Sequence, residues 1–169
     1  MDRLWAPWRM GFIDSMQDDG RHPAGCFLCA ARDEPDQRRS GVFLRRPQAF
    51  AVLNRFPYNN GHTLVVPNAH KADLADLSDE ESLALVALAK EVMALLGQVM
   101  RPDGYNLGLN FGRAAGAGLP EHLHLHVVPR WNGDTNFMSV LGETKVIPQS
   151  LEDLYDRIRQ AVQERPAGP

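Results

Sequence analysis

The sequence predicts an α+β fold, in which an antiparallel sheet packs with one long helix and a C-terminal helix. Two observations lead to this prediction. Short apolar segments of strand length are joined by hairpin-like connections rich in turn residues, and two other segments place apolar residues at three- and four-residue intervals. The 169 residues suffice for one full hydrophobic core and hardly for two domains.

Five segments have the length and composition of strands. The first two flank Pro47 and are expected to form a hairpin, and the turn signal Asn59-Asn60-Gly61 precedes the third. The predicted strands are 42–46, 50–54, 62–67, 105–110 and 122–129.

Two helices are predicted from their first turns and their apolar stripes. Ser78-Asp79-Glu80-Glu81 is a capping box, and Pro102 and Gly104 end the helix that it opens. Ser150 begins the second helix. The stripes are Leu85, Leu88, Val92, Leu95 and Val99 in the first helix, and Leu151, Leu154, Ile158 and Val162 in the second.

The chain divides into three predicted regions. Residues 1–41 form an irregular N-terminal arm whose aromatic residues Trp5, Trp8 and Phe12 are expected to pack onto a surface. Residues 42–138 form the main domain, and residues 139–169 form an extension with the C-terminal helix.

Composition limits the class of partner. A net charge of −3 gives no general attraction to nucleic acid or to anionic membranes, so an anionic ligand must be held by local groups. No continuous apolar run approaches the roughly 20 residues that span a bilayer, and no apolar segment of signal-peptide length is seen at the start, so we expect a cytoplasmic protein. Two cysteines are too few for a disulfide framework.

The most informative segment is His122-Leu123-His124-Leu125-His126-Val127-Val128-Pro129, which holds three of the six histidines. Alternate side chains of a strand share one side, so the three imidazoles face one way while the apolar residues enter a core. The imidazoles could bind a catalytic metal, or they could act together on an anion with one of them as nucleophile.

The loop before these histidines favours a phosphate ligand. Residues 110–118 read Asn-Phe-Gly-Arg-Ala-Ala-Gly-Ala-Gly, and such short side chains let backbone N–H groups approach an anion. A neutral imidazole nitrogen can attack phosphorus to form a phosphoramidate, while flanking imidazoles donate hydrogen bonds to the phosphate oxygens. This chemistry needs no metal ion in the chemical step.

The histidine motif and its loop resemble the histidine-triad (HIT) superfamily of nucleotide hydrolases and transferases. Gly61-His62-Thr63-Leu64-Val65-Val66-Pro67 resembles the upstream strand of the same family, so the main domain 42–138 is identified as a HIT domain. Three further segments resemble the bacterial branch that includes diadenosine tetraphosphate phosphorylases. They are residues 4–9, 129–137 and 145–149.

The resemblance implies roles at matching positions. His124 is the expected nucleophile, His126 the group that holds the α-phosphate oxygens, and His62 the fourth histidine, which supports the triad. Asn54 is expected at the ribose, Asn110 at the phosphate and Trp131 at a base or second nucleoside. The remaining expected nucleotide contacts are Gly116, Ala117 and Gly118, and His122 completes the triad.

The same resemblance implies a structural zinc site. Cys26-x-x-Cys29 has zinc-knuckle spacing, and relatives with zinc complete the set with residues that match His70 and His122. His22 is an alternative ligand. Such a site would tie the arm to the histidine strand and orient His122. HIT enzymes are commonly homodimers, so the resemblance implies a homodimer with a small nucleotide substrate.

One departure from the family pattern bears on the substrate. Many members carry Ser, Thr or Gln shortly before the first histidine, where it can protonate the leaving group, whereas this chain has Gly118-Leu119-Pro120-Glu121. A polyphosphate leaving group does not need that proton, so a dinucleoside polyphosphate such as diadenosine tetraphosphate is favoured. The alternatives are a nucleoside phosphoramidate (adenylyl-lysine) hydrolase, a non-catalytic zinc and nucleotide-binding module, and a zinc hydrolase whose metal is bound by the triad.

Overall fold

The computed structural model describes residues 25–135 and 146–164. The predictions for residues 4–9, Trp5, Trp8, Phe12, His22 and the segment 136–145 fall outside this part of the chain. The described elements are α1 (Phe27–Asp33), α2 (Gln37–Ser40), β1 (Val42–Arg45), β2 (Ala49–Leu53), β3 (Thr63–Pro67), α3 (Asp79–Met100), β4 (Gly104–Leu109), β5 (Leu125–Arg130) and α4 (Leu151–Glu164).

The five strands form one antiparallel sheet in the order β1-β2-β3-β5-β4. β1 and β2 form the predicted hairpin around Pro47, and β5 lies between β3 and β4. The predicted α+β fold is confirmed. At most of the strand ends, the predicted and the observed bounds differ by one residue.

The two long helices cover one face of the sheet. The first begins at the predicted capping box, in which Ser78 accepts from the Glu81 N–H while the Glu81 side chain accepts from the Ser78 N–H. Val92 and Leu95 of α3, together with Ile158 of α4, are fully buried in the core on this face. Burying side chains of this size stabilises the fold by about 1.5–3 kcal/mol each.

The opposite face of the sheet carries a second, smaller apolar cluster beside the histidines. Leu28 of α1 and Leu119 of the loop before β5 pack there against residues of β1, β2 and β3. Leu123 and Val127 instead join the core under α3 and α4, as the predicted alternation requires. The sheet therefore separates an all-apolar side from the side that carries the imidazoles.

The helix α3 is long and apolar enough, by length and composition, to cross a membrane, with a mean hydropathy of 1.7 over 18 residues. Lys90 and Glu91 interrupt it near its middle. Its inner face, which includes Leu88 and Val92, is buried against the sheet and α4, which is typical of a core helix.

The structure corrects two details of the sequence prediction. Residues 27–33 and 37–40 are helical rather than irregular, because Leu28 is anchored in the second cluster and Asp36 caps α2 through the N–H groups of Arg38 and Arg39. The predicted strand 122–129 enters the sheet only at Leu125.

A tight turn sets the entry to β3. The His62 N–H donates to the Asn59 carbonyl at 3.1 Å, and Gly61 adopts a φ of 76°. This positive φ favours glycine, and a Cβ at position 61 would also lie 2.8 Å from the Sδ of Met100, whose side chain would have to shift. The turn places His62 directly beside β5.

Candidate active site and metal centre

His124 presents one nitrogen of a defined tautomer. Its Nδ1 lies 2.8 Å from the main-chain carbonyl of His122, and because a carbonyl only accepts, Nδ1 must carry the hydrogen. In the neutral ring, Nε2 then holds the lone pair. The side chain is 6% exposed, so this nitrogen is held in a mostly water-excluded place.

His126 and His62 form a directed pair on the same face. Nδ1 of His62 accepts from the Tyr58 N–H at 3.0 Å, so the hydrogen of neutral His62 sits on Nε2. That Nε2 lies 2.9 Å from Nδ1 of His126 and donates to it. Neutral His126 therefore carries its own hydrogen on Nε2, as a donor suited to a phosphate oxygen.

Two further contacts fix this pair in place. Nδ2 of Asn54 lies 3.2 Å from Nδ1 of His62, while Oδ1 of Asn54 accepts from the Phe56 N–H at 3.0 Å. The Tyr58 ring stacks on His126 with a centroid distance of 5.6 Å and an interplanar angle of 14°. The structure thus brings Asn54 to the histidines; its expected contact with a ribose stays a prediction.

The loop 110–118 reaches the histidines through Asn110. Its Nδ2 lies 3.4 Å from Nε2 of His126; because the tautomer assigned above places a hydrogen on that nitrogen, the amide accepts it through Oδ1 only in the flipped orientation. Gly116 has a φ of 77°, which favours glycine, and Leu119 anchors the end of the loop in the second apolar cluster. The Ala117 N–H points at the Gly112 carbonyl at 3.4 Å, so that donor is partly used within the loop.

Burial favours the neutral form of two of these rings, His62 and His124. It lowers the pKa of His62 to about 3, with the neighbouring His126 and His124 adding to the effect. Burial also lowers the pKa of His124, against the opposing effect of its hydrogen bond to the His122 carbonyl. A neutral imidazole is the form that can attack phosphorus.

The four predicted zinc ligands lie together. The Sγ and imidazole nitrogen atoms of Cys26, Cys29, His70 and His122 are all within 4.8 Å of one another. Sγ of Cys26 lies 3.2 Å from Nδ1 of His122. Two thiolates and two imidazoles form a closed set that suits tetrahedral Zn²⁺.

His122 has the opposite tautomer to His124. Its Nε2 lies 3.0 Å from the Pro67 carbonyl and must donate to it, which leaves the lone pair on Nδ1 facing the two sulfur atoms. His122 is fully buried, and burial lowers its pKa. Of the three triad imidazoles, this one is oriented toward the two cysteines.

Trp131 lies in a different place from the histidines. It lines a cleft of about 480 Å³ together with Met100 and Arg157, and none of the histidines that the structure describes lines that cleft. Its main-chain N–H donates to Oδ2 of Asp134 at 3.1 Å. The structure therefore does not bring Trp131 to the triad within this chain, and its contact with a nucleoside stays a prediction.

Several groups that the site uses were not predicted from the sequence. The Tyr58 N–H and the carbonyls of His122 and Pro67 select the tautomers of three histidines, and backbone groups carry no sequence signal of their own. The Tyr58 ring could have been suspected, because an aromatic residue stands in the turn four residues before His62. It also lines a cleft of about 280 Å³ with Val128 and Arg130.

Comparison with known proteins identifies the class that this fold and site define. The HIT domain family matches residues 36–133, and the chain belongs to that family. The AP-4-A phosphorylase of Mycobacterium tuberculosis is 41% identical over 158 residues, which cover 90% of this chain and 80% of that protein.

Solved structures agree with this assignment. A Zn-bound histidine triad family protein from Mycobacterium smegmatis is 28% identical, with a TM-score of 0.66 over 83% of this chain and 94% of that one. A histidine triad nucleotide-binding protein from Sulfolobus tokodaii, 24% identical with a TM-score of 0.65, covers 82% of this chain and 92% of its own, and shares the fold.

Proposed function

We propose that this protein cleaves dinucleoside polyphosphates of the diadenosine tetraphosphate class through a covalent nucleotidyl–His124 intermediate. The observation that carries the proposal is the His124 tautomer: Nδ1–H is bound to the His122 carbonyl at 2.8 Å, so Nε2 is the nucleophilic nitrogen. The likeness to AP-4-A phosphorylase over 90% of the chain supports the substrate class.

In the first step, Nε2 of His124 attacks the α-phosphorus of one nucleoside. An Nε2–P bond forms, and the bond from phosphorus to the oxygen that bridges to the β-phosphate breaks, releasing ATP from diadenosine tetraphosphate. His126 donates its Nε2–H to a non-bridging oxygen as negative charge builds there. His62 holds His126 in the donor form through the 2.9 Å bond.

In the second step, an oxygen of inorganic phosphate attacks the same phosphorus. An O–P bond forms, the Nε2–P bond breaks, and ADP leaves with His124 restored as a neutral imidazole. Water in place of phosphate would give AMP. The name of the mycobacterial relative favours phosphate as the acceptor.

The loop before β5 fits a leaving group that needs no proton. Glu121 is exposed, and residues 118–120 have no acidic or hydroxyl side chain. ATP leaves as a stabilised anion near neutral pH, whereas an amine must be protonated as it departs. This difference supports a polyphosphate over a phosphoramidate substrate.

Product analysis tests the proposal. Purified protein is incubated with diadenosine tetraphosphate, with and without inorganic phosphate, and the nucleotides are separated by ion-exchange chromatography. ADP plus ATP formed only with phosphate identifies a phosphorylase, and AMP plus ATP identifies a hydrolase. Faster cleavage of an AMP amide than of diadenosine tetraphosphate would contradict the proposed substrate class.

We further propose that the Cys26–Cys29–His70–His122 set binds a structural zinc ion. The donor set and its spacing support this, as does the Zn-bound relative from Mycobacterium smegmatis. Zinc in such a closed site contributes stability and leaves the chemical step to the imidazoles. One equivalent of zinc per chain, measured by mass spectrometry, is expected.

We also propose a homodimer that works in the cytoplasm, where both thiols stay reduced. Large apolar side chains remain exposed on α3 and on β4, namely Leu83, Val86 and Leu107. Among the described strands, β4 pairs on one side only. A second copy could cover this surface. Light scattering of the wild type and of Leu107→Lys tests the assembly, with a shift toward monomer expected in the variant.

A further inference from the structure

The main chain around the nucleophile lies outside the sheet ladder. The last pairs that hold β5 are Val65 with Leu125 on one side and Leu109 with Leu125 on the other. A continued ladder would place Pro67 opposite Leu123, and proline has no N–H to donate. Residues 122–124 therefore lie just before the first paired residue of β5 and take no part in regular strand pairing.

Hydrogen bonds to the end of β3 and to the residues after it replace the missing ladder. The Leu123 N–H donates to the Lys71 carbonyl at 2.7 Å, and Nε2 of His122 donates to the Pro67 carbonyl at 3.0 Å. Both acceptors belong to the segment 67–71, which also contains His70. Lys71 in turn pairs with Glu81, the partner of Ser78 in the capping box of α3, at 2.7 Å.

The Cys-His cluster joins the same two segments a second time. His70 comes from the segment after β3 and His122 from the segment before β5, and Cys26 and Cys29 come from the start of α1. Sγ of Cys29 lies 3.4 Å from Nδ1 of His70 and 3.5 Å from Nδ1 of His122. The cluster thus holds the residue whose carbonyl accepts the Nδ1–H of His124.

We infer that the cluster positions the nucleophile: its ligands clamp the segment 122–124 and so hold the carbonyl that selects the His124 tautomer. Cys26, Cys29 and His70 are then positioning residues for the reaction, acting through His122. The role of His124 as nucleophile rests on the proposed function. The clamp itself rests only on the contacts described above.

The test compares wild type with Cys29→Ser and His70→Gln, two variants that each remove one ligand. Zinc content, circular dichroism, kcat and KM for diadenosine tetraphosphate, and the NMR resonance of the His124 Nδ1–H are measured. The metal-poor variants are expected to lose at least about 10-fold in kcat with KM changed less than about 3-fold. The Nδ1–H resonance, assigned with His124→Gln, should be sharp in wild type and broadened by exchange in both variants.

His70→Cys and Ile158→Val are the matched controls. The first keeps four ligands and should restore zinc, kcat and the resonance, and the second weakens the core on α4 without touching the cluster. Ile158→Val should keep all three. His70 is exposed, so His70→Gln answers the question even where Cys29→Ser fails to fold.

A zinc-free, folded His70→Gln protein with wild-type kcat and a sharp Nδ1–H resonance would overturn the clamp. A wild type that does not cleave diadenosine tetraphosphate would contradict the proposed function instead. In that case the resonance still reports whether the cluster holds the His124 tautomer.

Discussion

His122 and His124 stand two residues apart on one segment, yet they leave opposite nitrogens for chemistry. His122 donates Nε2–H to the Pro67 carbonyl and turns Nδ1 toward two sulfur atoms. His124 donates Nδ1–H to the His122 carbonyl and keeps the lone pair on Nε2. The nearest carbonyl decides which nitrogen is left, so one residue type presents Nδ1 to the cysteine cluster and Nε2 to the proposed reaction centre.

The largest effect is expected from removing the nucleophile. His124→Gln should lower kcat by about 10⁴-fold or more, because no other group in the described site can form the covalent intermediate. Single-turnover cleavage of diadenosine tetraphosphate measures the loss. Calorimetry with AMP is the control, and binding within a few-fold of wild type is expected. Trapping a nucleotidyl–protein adduct in the variant would rule out His124 as its site.

A smaller loss is expected at the donor beside the nucleophile. His126→Ala should lower kcat by about 10²–10³-fold, because one hydrogen bond to the developing phosphate charge is lost. Steady-state kinetics with diadenosine tetraphosphate provide the measurement. A loss below about 10-fold would show that His126 does not contact the phosphate in the transition state.

Removing the metal should disturb the position of His124 but remove none of the groups that take part in the reaction. Chelation is expected to lower kcat by about 10–100-fold and to lower the melting temperature, while the nucleotidyl–His124 adduct still forms. Acid quenching with labelled substrate measures the adduct. Complete loss of the adduct in a folded, chelated protein would favour a zinc hydrolase over the His124 mechanism.

The smallest effect concerns stability and pH at His62. Its pKa is about 3 when folded and near its ordinary value of about 6.5 when unfolded, so below pH 6.5 the unfolded chain binds a proton that the folded chain does not. The stability that comes from neutral His62 is therefore complete above pH 6.5 and is lost as the pH falls toward 3, by up to about 1.4 kcal/mol per pH unit.

Urea unfolding between pH 7.5 and 5 measures this dependence. His62→Gln, which carries no titrating ring, should show a shallower fall in the free energy of unfolding than wild type. Equal slopes in the two proteins would mean that His62 takes up a proton in the fold, which contradicts the assignment of its Nδ1 as the acceptor of the Tyr58 N–H.

Much of this arrangement was predictable from local pattern. The alternation of residues 122–127 predicted that Leu123 and Val127 enter the core. The capping box at Ser78 predicted where α3 begins. The CxxC spacing indicated a metal site, and the resemblance to zinc-bearing relatives supplied His70 and His122 as the other two ligands of the cluster that the structure brings together. Such signals are readable because strand and helix periods and side-chain chemistry act over a few residues.

Other features depended on contacts far apart in sequence. Strand β5 begins at Leu125 because of Pro67, a residue on another strand. The helix α1 forms where Leu28 finds an apolar partner surface, and Trp131 lines a cleft with Met100 and Arg157. These contacts join residues far apart in the sequence, so no local pattern predicts them.

The sequence by itself determined the residue types, their spacing and the face on which the imidazoles lie, because side-chain direction follows from the strand period. Only the tertiary structure decided what each imidazole does. A tautomer depends on which carbonyl or N–H lies within about 3 Å of each ring nitrogen, and those groups come from Pro67, Tyr58 and the His122 main chain, brought together by the fold.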